Sequence, residues 1–237
     1  MKQLTKTLLI SILFAGQVSY ADAPKANPSV KTDSSLNSML DAYKAVVVSA
    51  DSVKALDFTY PKVFALTPKA QLVQLIKQQE SSGMPKPKIS NMKQTPLLPI
   101  KKYSKGSYTL VNYEMDMKMN FAQKGREDMM DRMLKNPKEL ESFQTMMKNM
   151  FSATLGKDAT IAFEKNSFIA NIHQKSKYIA INEENKGWKI VELSVPTANT
   201  LERILPKEIY ANYKPEIDKL KLAAEDQMKA LMRAMGK

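Results

Sequence analysis

Few residues in this chain have the type and spacing to do chemistry. His173 is the only imidazole and there is no cysteine. This excludes a cysteine nucleophile, a zinc–cysteine site, an iron–sulfur protein and a two-histidine metal site built from one chain. General acid–base work needs a charged neighbour to tune the group, and the sequence around Ile172-His173-Gln174 names none. With seven glycines in all, no phosphate-cradling loop can be assembled, and neither a serine triad nor paired metal carboxylates can be picked out. No catalytic residue and no cofactor are assigned; an enzyme using His173 is the weakest reading.

Methionine stands out, at sixteen residues. Met115, Met117 and Met119 alternate along one segment. In a strand they would project from one side at steps of about 7 Å. Thioethers are soft ligands suited to monovalent copper. They are also unbranched gap fillers, and these positions fall where core residues belong. A third use is an adaptable apolar groove that repacks around a lipid tail or a partner helix. With Tyr113 on the same side, these residues form the candidate ligand site, and no metal is assigned to it.

Lysine is the other abundant group. The chain has 32 lysines, four arginines and a net charge of +12. Between Ser81 and Tyr113 there is no acid, while Lys101, Lys102 and Lys105 are interleaved with Tyr103 and Tyr108. Such a stretch would attract an anionic surface weakly. Lysine lacks the planar fork that reads bases or phosphates specifically, so a specific nucleic-acid reader is not expected. The plain alternative is a solvated, solubilising face.

The elements that must position these residues follow from pattern. Lys2 and Lys6 precede a short apolar run, Leu8 to Phe14, and small residues at Ser19 and Ala21 suit a signal peptidase. The run is shorter than the roughly 20 residues a spanning helix needs. Residues 1–21 therefore read as a signal peptide, with no lipoprotein cysteine after it, and the expected location is periplasmic or secreted. Residues 22–35 read as a flexible lead-in.

A helix follows, with its stripe at Leu36, Met39, Leu40, Tyr43, Val46, Val47 and Ala50, and Asp33, Ser34 and Ser35 supply the capping chemistry before it. Thr67-Pro68 opens another helix through Leu72 and Ile76. The period then changes to two. A first strand is expected within residues 89–103, broken by Pro96 and Pro99. The clearest strand, 108–121, turns Val111, Tyr113, Met115, Met117, Met119 and Phe121 to one face. Residues 127–155 read as a helical insertion, with Asn136 as a cap and Glu139 reaching back to it. Strands are expected at 160–163, 168–173 and 177–182, and a hairpin leads into 188–195. The tail is helical, broken at Pro206 and again at Pro215. Its apolar stripe and mixed charges suit packing on the domain or pairing with a copy of itself.

This order, with Tyr43 on the first helix, Phe58-Thr59-Tyr60-Pro61-Lys62-Val63-Phe64 after it and Lys186-Gly187-Trp188-Lys189-Ile190 at the closing hairpin, resembles the NTF2-like (cystatin-like) superfamily and its uncharacterised exported bacterial members. The resemblance spans residues 36–195. It implies an α+β cone: a curved, mostly antiparallel sheet with the N-terminal helices in its concavity. The helical insertion and the extension over 197–237 depart from the pattern. The superfamily holds both enzymes and binding modules, so fold alone does not choose. The expected function is a non-enzymatic, exported binding protein for a small apolar or amphipathic ligand or an envelope partner. A methionine-based Cu(I) protein is the runner-up. No second apolar run is long enough to span a membrane.

Overall fold

The computed structural model describes residues 33–81, 86–122, 135–136, 138–142, 145, 159–164 and 167–234. The expected signal peptide, most of the lead-in and most of the insertion lie outside the described residues. Inside the insertion, Asn136 Nδ2 donates to Glu139 Oε1 at 2.7 Å, and the Asn136 carbonyl accepts from the Leu140 amide at 3.0 Å.

Helix α1 (Ser34–Val48) begins where the capping chemistry places it: Asp33 accepts from the Ser35 and Leu36 amides. The Trp188 indole N–H donates to the same carboxylate at 3.3 Å, tying the cap to the far end of the domain. Two short turns follow, α2 (Ser52–Ala55) and a 3-10 turn over Leu56–Phe58. A further 3-10 turn (Pro61–Ala65) leads to α3 (Lys69–Ser81), whose Leu72 and Ile76 are buried beside Leu56. The Tyr60 amide donates to the Ile190 carbonyl at 2.8 Å, so the segment between α2 and α3 is held against the closing strand.

Among the described residues, six strands form one antiparallel sheet: β1 (Lys88–Gln94), β2 (Lys101–Tyr103), β3 (Gly106–Ala122), β4 (Ala159–Glu164), β5 (Ser167–Glu183) and β6 (Lys189–Glu192). The order is β1-β3-β5-β4, with β2 also on β3 and β6 also on β5. The central pair runs in unbroken register from Gly106 opposite Glu183 to Ala122 opposite Ser167. The first expected strand is two strands, β1 and β2, because Pro96 and Pro99 cannot donate to a ladder and interrupt it between them.

Two separate strands were expected at 168–173 and 177–182; they are one, β5. The interruption was read into Gln174-Lys175-Ser176. There, however, Lys175 points outward while Gln174 and Ser176 turn inward and bond to each other, so the ladder never breaks.

The tail also differs from expectation. After α4 (Ala198–Ile204), one helix, α5 (Lys207–Ala234), runs straight through Pro215. Proline removes one helical hydrogen bond, but Pro215 is exposed while its neighbours Tyr213 and Ile217 pack on the sheet. Lys177 on β5 bonds Glu216 at 2.5 Å. The docked face holds the helix across the gap.

The inner face of the sheet is buried, and the outer face is buried only over the half nearest the tail, with Asp116, His173 and Lys175 left exposed on the other half. On the inner face, α1 places Leu36, Leu40 and Tyr43 against Val111, Tyr113, Met115, Met117, Ile172 and Tyr178. On the outer face, α4 and α5 cover Tyr108, Leu110, Ile179 and Ile181 with Leu201, Ile209, Ile217 and Leu220.

Candidate functional site

Strand alternation brings the expected site residues together. Tyr113, Met115 and Met117 project from the inner face of β3, only 1%, 5% and 4% exposed, and Met119 is partly buried beside them. Two further thioethers join this cluster. Met39 comes from α1. Met92 comes from β1 through a bulge: Ser90 pairs with Asp116 and Lys93 with Glu114, so Asn91 and Met92 together oppose Met115. Asn91 takes a left-handed φ of 52° to do this. The bulge has no sequence signature, so Met92 could not be assigned to the cluster beforehand.

Beside the sulfurs lies a polar seam that the sequence reading missed. Tyr43, Tyr113 and Tyr178 form a ring trio with centroids 5.6–6.2 Å apart. The Tyr113 hydroxyl donates to the Leu40 carbonyl at 3.5 Å. The Tyr178 hydroxyl shares hydrogen bonds with Tyr43 and Ser176, and Gln174 Nε2 donates to Ser176 Oγ at 3.0 Å. Burial pushes all three phenols up, so they stay protonated at neutral pH. Glu192 sits across from Tyr178 in the β5–β6 ladder. Desolvation pushes its carboxyl up to about 8, against a smaller opposing effect from a Ser194 hydrogen bond. The available signal was the alternation of Gln174, Ser176, Tyr178 and Ala180 on one face of an uninterrupted strand.

Between α1, α2 and the sheet is a cavity of about 30 Å³, lined by Tyr43, Val47, Met115, Met117, Gln174 and Tyr178. About two waters fit in that space. A drug-sized or lipid ligand needs a pocket roughly ten times larger or more.

His173 lies elsewhere. It pairs with Asp116 on the outer face, and its Nδ1 is 2.9 Å from Asp116 Oδ1. Asn91 Nδ2 donates to the other carboxylate oxygen at 2.9 Å. The imidazole bond, followed by that of Asn91, holds the Asp116 carboxyl below its ordinary value. The histidine thus has the carboxylate neighbour that the sequence did not name. Both side chains are more than two-fifths exposed and face away from the cavity.

The lysine stretch is countered by acids from elsewhere in the chain. Lys101 donates to Asn212 at 3.0 Å and Lys102 to Ser107 at 2.9 Å. Against desolvation, the Tyr60 hydroxyl and Lys62 hold the Glu183 carboxyl below its ordinary value, with a smaller contribution from Lys105; Lys186 chiefly lowers Glu184, again with Lys105 behind it, and Glu208 caps Ser104. The local field is therefore mixed in sign.

Among the described residues, no group of three or more histidine, aspartate or glutamate side chains is placed to hold a metal ion, and no helix is long and apolar enough to cross a membrane. Comparison with family models, with characterised proteins and with solved structures finds no match to this chain.

Proposed function

We propose that this chain is an exported, non-enzymatic binding protein of the cell envelope, an NTF2-like cone in type, that acts on a protein partner through its surface. One observation carries the choice of a partner over a small ligand. Among the described residues, the inner face is packed by α1 and its tyrosine and methionine neighbours, and the cavity between α1, α2 and the sheet, about 30 Å³, is far smaller than a lipid or drug-sized ligand needs. Export rests on the basic and apolar pattern of residues 1–21. The cone reading is supported by α1 lying on one face of an antiparallel sheet. An acid–base role for His173 is not supported, since its dyad with Asp116 stands on a solvated sheet face away from any enclosed space.

The test has two arms. Fatty acids, lysophospholipids and quinones should leave the melting temperature unchanged. A photo-reactive residue placed at exposed positions such as Val48 or Lys118 should yield a discrete covalent adduct with an envelope protein in the producing cell. A lipid that raises the melting temperature by several degrees, with the shift lost on Met117→Trp, would overturn the choice of a partner over a ligand.

A second reading is favoured by the gathering of Met39 and Met92 beside Met115, Met117 and Met119. Five thioethers in one cluster are a soft-donor environment for Cu(I). The burial of Met92, Met115 and Met117 means that the ion could enter only if α1 opened.

A further inference from the structure

The outer half of α5 carries a second seam that the domain does not use. Ile209, Ile217 and Leu220 on the first half are buried against the sheet. At about 100° per residue, Leu222 points about 160° away from Leu220. It is 62% exposed, and Met232, ten residues on, is 45% exposed. Between them on the same side stand Glu225 and Lys229, both exposed. The spacing 222, 225, 229, 232 is three, four, three, which is the a/d spacing of a heptad seam.

This seam is complementary to itself in one orientation. When two antiparallel copies cross near residue 227, a positions face d positions. Leu222 then meets Met232 of the other copy, and Glu225 meets its Lys229, with each contact made twice by symmetry. A parallel pairing would set Glu225 against Glu225 and Lys229 against Lys229, which repel. Lys229 makes an exposed contact to Asp226 on its own helix, at 3.8 Å.

We propose that α5 is a self-association surface and that its occupant is a second copy of this chain, crossing antiparallel over Leu222, Glu225, Lys229 and Met232. The contact is about 15 Å long at 1.5 Å per residue, so the dimer is weak and concentration-dependent. It does not depend on the envelope-partner reading, and either can fail alone.

Charge reversal tests it. Sedimentation velocity across a concentration series should show the wild-type chain dimerising. Glu225→Lys and Lys229→Glu should each leave monomers, and an equimolar mixture of the two variants should dimerise again, as should the double reversal. Since the chain has no cysteine of its own, disulfides report orientation cleanly. A mixture of Leu222→Cys and Met232→Cys chains should cross-link readily, and neither variant alone should do so at a comparable rate. All four positions are exposed, so unchanged circular dichroism should confirm the fold. The proposal is overturned if the wild type stays monomeric to its solubility limit, if the two reversals fail to rescue one another, or if the single-cysteine variants cross-link as fast as the mixture.

Discussion

At the scale of single residues, Glu192 makes the sharpest demand on conditions. Its carboxyl titrates near 8 in the folded chain and near 4.5 in a solvated one, because the protein around Tyr43 and Tyr178 withholds water from the anion. Between those values the folded state holds more protons than the unfolded state, so stability falls as pH rises through that window and levels off above it. The slope contributed is at most about 1.4 kcal/mol per pH unit. Glu192→Gln should remove most of that slope in urea unfolding and raise stability at pH 8; a slope that survives the change would assign it to other groups. Glycines give a second contrast at this scale. A Cβ at Gly106 would lie 2.0 Å from the Asn182 carbonyl oxygen, a backbone atom of the paired strand. At Gly187 nothing lies within 4 Å and only the φ of 94° resists substitution. Gly106→Ala should therefore cost about 2 kcal/mol or more, and Gly187→Ala about 1 kcal/mol, as read from paired thermal melts.

Among the elements, α5 is tied to the sheet by a half-buried ion pair. Lys177 and Glu216 are only 14% and 26% exposed. Lys177→Met would strand a half-buried carboxylate under the helix and should cost about 2 kcal/mol; adding Glu216→Leu should recover most of it. A double variant as unstable as the single one would show that the tie carries net stability. The same helix shows why legibility stops where it does. Apolar period alone placed α1, α3 and the inner face of β3, because each has a clean stripe and the core obeys it. It failed at Pro215, since the forces that hold a helix through a proline come from Lys177 and the outer sheet face, far away in sequence. It failed at Gln174 and Ser176 for the converse reason: two buried polar residues satisfy each other, and that is invisible until the strand pairs. Tyr113, Met115, Met117 and Met119 were legible as one face. Met92, Tyr178 and Glu192, which complete that environment, reach it through a bulge and a ladder whose register no local pattern encodes. Asp116 was likewise unreadable as the neighbour of His173, since the two meet only across β3 and β5.

For the molecule as a whole, α1 covers the inner face of the sheet, and this bears on what the methionines are for. A cone with an open inner face would offer its thioethers to whatever entered. Here Met115 and Met117 are almost wholly covered by α1 and share their cluster with Leu36, Leu40 and Ile172. Their first task is to fill an irregular space between a helix and a bulged sheet, which suits an unbranched, flexible side chain. Leucine has a similar volume, and such swaps usually cost less than about 1.5 kcal/mol each. Changing Met115, Met117 and Met119 together to leucine should therefore leave a folded chain with a modestly lowered melting temperature. Titration of the wild-type chain with Cu(I) against a competing chelator separates the two uses. If the cluster only packs, wild-type and triple-leucine chains will take up the ion alike, through whatever exposed thioethers remain outside it, such as Met228 and Met232. If instead the wild type binds one equivalent tightly and the triple variant does not, with both equally folded, then α1 must open to admit the ion. The packed inner face would then be the closed state of a copper carrier, and the case for a partner bound at the surface would lose its footing.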